Sequence, residues 1–163
     1  MAGARRGAAL DELRAIYEGR LVELTRVATA IVGDRHAAED VVQEAFVRAV
    51  RSRETFDGRG DLNGWVWRIV VNVARDVRAR QQHDLDQPRA EGSETADDAA
   101  RSAVREAIEQ LPERQRIVLF LRYYADLDYH AIAQAASISE GTVAATLHSA
   151  HGRLRELLSE VSR

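Results

Sequence analysis

Proline stands at only two positions in this chain, Pro88 and Pro112, and elsewhere apolar residues recur every three or four positions. Proline breaks a helix interior by removing an N–H donor and clashing with the preceding turn. Its scarcity leaves long stretches free to run as helix, and the alternating runs that mark strands are missing. The pattern predicts an all-α chain. Leu10 to Val32 is periodic and closes at Gly33, a residue suited to the left-handed end of a helix. Asp34 precedes a second helix from about Ala37 to Arg53, and "FDGRGD" reads as a turn. Asp61 or Asn63 can cap a third helix reaching about Arg80. Further helices are expected at Ala99–Gln110, Glu113–Tyr124, Tyr129–Ala136 and Glu140–Leu158.

One segment interrupts the periodicity. "QQHDLDQPRAEGSETADD" holds Pro88 and Gly92 and has almost no apolar residues. Residues 81–100 carry Asp84, Asp86, Glu91, Glu94, Asp97 and Asp98 against Arg89 alone. Such a stretch cannot bury enough surface to offset its ordering entropy, so an acidic flexible linker is expected at 81–98. Extended, its 18 residues would span about 60 Å. It divides the chain into an N-terminal module, 1–80, and a C-terminal module, 99–163. Modules of this size bury only about 60% of their unfolded surface. Each is therefore expected to rely on a partner for part of its stability.

Composition excludes several classes of function. The chain has no cysteine, which removes disulfides and thiolate metal sites. Two arginines near the N-terminus lack the apolar stretch of a signal peptide behind them, and no apolar run approaches the roughly 18 residues that span a membrane. A cytoplasmic protein without membrane insertion is expected. The five histidines do not form a ligand set, and neither a phosphate-cradling glycine loop nor a nucleophile motif is present. These absences predict a non-enzyme without cofactor or metal. The formal charge of -3 argues against nucleic-acid binding, but the acidic segment accounts for all of it and the rest of the chain is net positive.

Three stretches carry chemistry. In "HAAEDVVQEAFVRAVR", Val41, Val42, Ala45, Phe46, Ala49 and Val50 form an apolar stripe with Asp40, Gln43 and Glu44 opposite. Like charges at i, i+4 weaken a helix slightly, so Asp40 and Glu44 suggest an acidic face meeting a basic partner. In "DLNGWVWRIVVNVARDVRARQQ", Val66, Val70, Val73 and Val77 face inward, and Trp67 reads as core. Trp65, Arg68, Asn72 and Arg75 line another side, with Arg78 and Arg80 at its end. An aromatic, an amide and several guanidiniums in one row can stack on bases, bond their edges and hold phosphates, as single-strand recognition requires. Third, "DYHAIAQAASIS" followed by "EGTVAATLHSAH" gives helix, short turn and a helix capped by Ser139, the layout of a helix-turn-helix. Its outward face carries Thr142, Ala145, His148 and Ser149, just beyond Glu140.

Together these residues resemble the extracytoplasmic-function (ECF) sigma factors of the bacterial sigma-70 family. "GDRHAAEDVVQEAFVRAVR", "FDGRGDLNGWVWRIVVNVARD" and "LPERQRIVLFLRYYADLDYHAIAQAASISEGTVAATLHSAHGRLRELL" match its two domains in order. The resemblance implies that Asp40, Gln43 and Glu44 dock on the clamp coiled coil of core RNA polymerase. It implies that the turn Phe56–Leu62, including Asp61 and Leu62, works with Trp65, Arg68, Asn72, Arg75 and Arg78 to recognise and melt the -10 promoter element. It further implies a linker that threads the RNA exit path, a C-terminal module on the polymerase flap reading the -35 element, and control by an anti-sigma factor. Ser139, Glu140, Thr142, Ala145, His148 and Ser149 would face -35 DNA.

The last helix departs from the family pattern. Gly141, Thr142, Val143, Leu147 and Ala150, the fold-forming positions, are kept. Ala144, Ala145, Thr146, Ser149 and His151 stand where polar and basic residues are usual, and Ser137 where a helix-ending Gly is customary. Each lost bidentate base contact costs roughly 1–3 kcal/mol, so weak or unusual -35 recognition is expected, with an activator as a candidate supplement. A sigma-like decoy that occupies an anti-sigma factor or polymerase without reading DNA is the alternative. A helix-turn-helix repressor ranks third, because it leaves the N-terminal motifs unexplained.

Overall fold

A computed structural model of the chain describes residues 7–58, 60–83 and 96–161, with side chains of the last span from 102 to 160. Among the described residues all regular structure is helical: α1 Leu10–Val32, α2 Arg35–Ser52, a 3-10 turn Arg53–Thr55, α3 Leu62–His83, α4 Ala96–Glu109, α5 Glu113–Tyr123, α6 Tyr129–Ala136 and α7 Glu140–Val161.

Local chemistry sets the boundaries. Gly33, at φ 83°, ends α1 in the left-handed conformation and donates its N–H to Thr29 O at 2.7 Å. Asp34 then accepts from Ala37 N at 2.7 Å, and its extended backbone starts α2 at Arg35, two residues before the expected start. Asp61 is the cap of α3: its two carboxylate oxygens accept from Asn63 N at 3.2 Å and Gly64 N at 3.1 Å. Asp128 caps α6 through Ala131 N at 2.8 Å, and Ser139 caps α7 through Thr142 N at 3.1 Å. Each cap satisfies a donor that the first helical turn leaves open.

α3 continues through Gln81 and Gln82 to His83, and α4 begins at Ala96. Both helices thus reach three residues into the stretch expected as linker; α3 can do so because no breaker stands between Arg80 and Pro88. Residues 84–95, the rest of that stretch, lie outside the described residues.

α3 is the centre of the molecule. It packs on α1 and α2 within the N-terminal module and on α6 of the C-terminal one, where α5, α6 and α7 pack together; α1 also meets α5. One hydrophobic core therefore runs through both modules. It includes Leu24, Val27, Val41, Val66, Trp67 and Val70 at one end and Val118, Leu121, Ile132, Val143 and Leu147 at the other. Each small module thus packs against the other. Trp67 is fully buried, as its place on the helix predicts.

Candidate nucleic-acid and polymerase interfaces

α2 buries Val41, Val42, Ala45, Phe46 and Ala49 and turns Asp40, Gln43 and Glu44 outward; Val50, expected in the same stripe, is exposed at the helix end. Glu44 is not a bare charge. It accepts from Arg48 Nε at 2.8 Å, and Arg48 Nη1 lies 3.7 Å from Asp76 of α3. Asp40 has no ion-pair partner among the described residues, so the free negative charge of this face sits one turn earlier. Beside Gln43 lies a shallow apolar hollow lined by Tyr17, Phe46, Val47, Val50 and Arg51, with Tyr17 edge-on to Phe46 at 4.8 Å.

On α3, Arg68 and Asn72 are exposed and Trp65 is half-buried beside Phe56, ring centroids 5.7 Å apart. The turn carrying Phe56 is anchored to the start of α1, where Gly7 N donates to Phe56 O at 2.9 Å and Ala8 N to Arg53 O at 2.8 Å. The aromatic pair thus stands on a fixed base with an amide and a guanidinium next along the helix. Leu62 is half-buried against the core and Asp61 is spent on the cap. Arg78 is half-buried. Arg75 is engaged: its Nε and Nη2 donate to the two carboxylate oxygens of Glu113, both at 3.1 Å.

α6 and α7 form the expected helix-turn-helix, with Ser137 between them in the left-handed conformation, φ 56° and ψ 46°. Ala145, His148 and Ser149 are exposed and Thr142 is half-buried. Ser139 Oγ is shared between Thr142 N and Thr142 Oγ1, so both hydroxyls serve the cap. Glu140 Oε1 lies 2.9 Å from His130 Nδ1, and Gln134 Nε2 lies 3.0 Å from His130 Nε2. The Glu140 hydrogen bond raises the His130 pKa above its usual value; desolvation opposes it, and the charges of Glu140, Asp128 and Asp61 add to the pull. His151 Nε2 meets Tyr123 Oη at 2.8 Å. Thr146, one of the positions where a polar or basic residue is usual, packs inward at 9% exposure and is not part of the open face. From Glu140 the helix has no Arg or Lys before Arg153.

Sequence reasoning did not find Glu113 or Gln134. Gln134 closes over Gly60 and Gly64, where an added Cβ at Gly64 would stand 3.0 Å from the Gln134 Cβ and closer still to its Oε1. The one available signal was the pair of glycines four positions apart at the head of a helix, a spacing that permits close approach of another element.

Two family models cover most of the chain: sigma-70 region 2 matches residues 16–83 and sigma-70 region 4 matches 101–154. The chain is 33% identical to the ECF RNA polymerase sigma factor SigL of Mycobacterium tuberculosis, over 95% of each protein. It is an ECF sigma factor of the sigma-70 family. The ECF RNA polymerase sigma factor SigW of Bacillus subtilis is 28% identical, over 90% of this sigma factor and 87% of SigW. Two solved structures share its fold. CnrH in complex with the cytosolic domain of CnrY superposes with a TM-score of 0.72 at 20% identity, covering 94% of this chain and 91% of that one. The sigma factor RpoE in complex with the anti-sigma factor NepR, from Bartonella quintana, gives 0.63 at 23% identity over 91% and 95%. As a sigma factor, the protein is a transcription initiation factor. α1–α3 make up its region 2 and α4–α7 hold its region 4. No described helix is long and apolar enough to cross a membrane.

Proposed function

We propose that this sigma factor selects promoters chiefly through the -10 element, with weak or unusual contact at -35. The observation that carries this is the contrast between two exposed helix faces. α3 offers Arg68 and Asn72 beside the Phe56–Trp65 pair, whereas the open face of α7 offers Ala144, Ala145, His148 and Ser149. Stacking and guanidinium contacts serve an unpaired strand; a -35 duplex needs bidentate donors, and this part of α7 has none to give.

In this reading Phe56, Leu62, Trp65, Arg68, Asn72, Arg75 and Arg78 hold the melted strand, while Asp61 fixes the start of the helix that carries them. Asp40, Gln43 and Glu44 dock on the clamp of core RNA polymerase. Ser139, Glu140, Thr142, Ala145, His148 and Ser149 lie nearest the upstream duplex, where an activator completes the contact. The modules divide near residues 80 and 99. The protein acts without chemistry or cofactor of its own, in the cytoplasm with its polymerase, under the control of an anti-sigma factor.

Run-off transcription of the host's fragmented genome, with this protein and its own core polymerase, tests the proposal. Discrete starts that share a -10 sequence above a poorly defined -35 are expected. Starts with a strong shared -35 and no -10 preference would overturn it. Stable polymerase binding without transcripts favours the decoy reading, which the bare α7 face alone supports.

A further inference from the structure

The helix-turn-helix differs from the rest of the chain in its cations. From Tyr129 to Gly152, through all of α6 and more than half of α7, there is no Arg or Lys, although the chain holds 23 such residues. Three of its five histidines lie in that stretch, His130, His148 and His151, and Glu140 is the single carboxylate there. Histidine is the side chain that ordinarily changes charge between about pH 5 and 8. With neutral histidines the stretch carries one negative charge; with three imidazolium ions it carries two positive ones.

Each histidine stands where that change is felt. α6 and α7 start side by side: Nδ1 of His130, the second residue of α6, lies 2.9 Å from Oε1 of Glu140, the first residue of α7. In a helix-turn-helix the start of the second helix meets base edges and the first helix crosses the DNA backbone. Glu140 thus sets a negative charge at the edge that approaches phosphate, and a protonated His130 cancels it. The charged groups acting on His130 are all carboxylates: Glu140 of α7, Asp128 ahead of α6 and Asp61 ahead of α3. The hydrogen bond to Glu140, foremost, makes His130 hold its proton to a higher pH than an ordinary imidazole. His148 is exposed on the open face, without a hydrogen bond or ion pair among the described residues. His151, three positions on and so on the same side of the helix, is exposed too, and its Nε2 meets Tyr123 Oη of α5 at 2.8 Å. An imidazolium donates from Nε2 to the tyrosine oxygen and keeps a second N–H for another acceptor. The next charge along α7 on that side is a cation, Arg155.

We propose that His148 and His151 are the phosphate-holding groups of the α7 face, so that duplex binding by region 4 tightens as they take up protons. The upstream contact is then proton-linked: weak while the imidazoles are neutral, stronger in mild acid. This rests on the reading of α7 as facing the -35 duplex. His130 adds to the effect by neutralising Glu140. Each imidazolium that meets a phosphate raises affinity by up to about fivefold and steepens the salt dependence by about 0.9.

Fluorescence anisotropy of the full-length protein with a labelled random-sequence duplex, at low salt and at about pH 5.5 and pH 8, tests this. Phosphate contacts do not depend on sequence, so the promoter need not be known. Tighter binding with a steeper salt dependence is expected at the lower pH. The double variant His148→Gln, His151→Gln should lose most of that difference; both side chains are exposed, and circular dichroism checks that the helices persist. His148→Arg supplies a charge at every pH and should tighten binding at about pH 8 by up to about fivefold. Equal affinity of the unaltered protein at the two pH values, or a difference that the double variant keeps in full, overturns the proposal. His148→Arg tells that failure from failure of the reading beneath it. If it tightens binding while the unaltered protein shows no pH dependence, α7 meets DNA and only the proton linkage falls. If it changes nothing at either pH, the assignment of α7 to the duplex falls and the proposal with it.

Discussion

His130 joins three elements through two hydrogen bonds, to Glu140 of α7 and to Gln134, which reaches α3. A carboxylate only accepts, so Nδ1 carries a proton toward Glu140, and neutral Nε2 accepts from the Gln134 amide. Protonating Nε2 turns that acceptor into a donor, and Gln134 must then present its carbonyl. Because the folded pKa is raised, the His130 contribution to stability is full below the unfolded value of about 6.5 and fades as pH rises through the folded pKa. Titration followed by NMR should show the His130 midpoint falling in Glu140→Gln. The stability gap between that variant and the parent should be present near pH 5.5 and close in alkaline solution. At the same scale, Asn72→Ala or Trp65→Ala should abolish open-complex formation, read by permanganate footprinting, while polymerase binding in a pull-down persists. Normal transcription by both variants would sink the role given to that stripe.

α7 keeps the buried positions that build its fold, while its exposed positions carry no Arg or Lys before Arg153. Val143, Leu147 and Ala150 are buried, so the fold is intact, and the outer positions are free to change. Arg introduced at Ala144 and Ser149 should strengthen binding to upstream duplex and steepen its salt dependence by about 0.9 for each phosphate newly neutralised. Arg at Thr146 should do neither and should lower stability, because that side chain faces inward. Ser137→Gly should raise the melting temperature by about 2–4 °C, since glycine takes the left-handed turn without strain. Much of this was legible beforehand: Asp34 and Ser139 as helix starts, Ser137 at the turn, Trp67 in the core. What was hidden is of one kind. Glu113 lies 38 positions from Arg75, and Gln134 lies 70 from Gly64. Periodicity reports which face of a helix is buried, not which distant element covers it. Thr146 was named from the family pattern, which marks where polar residues are usual and not which way each side chain faces.

At the scale of the whole molecule, one core passes through both regions. Calorimetry should therefore record a single unfolding transition for the free protein, as for one cooperative unit. Gly64→Leu, which disrupts the packing of α6 on α3, should split the trace in two. Coincident transitions in that variant would mean that the regions are joined more firmly than Gln134 and Glu113 account for.

The order of synthesis gives the packing of α6 on α3 a further property. Gly64 leaves the ribosome 70 residues ahead of Gln134, a delay of roughly 4–14 s at about 5–20 residues per second. During that interval α3 has no α6 to cover it. Each newborn copy has a bare α3 before it has a covered one.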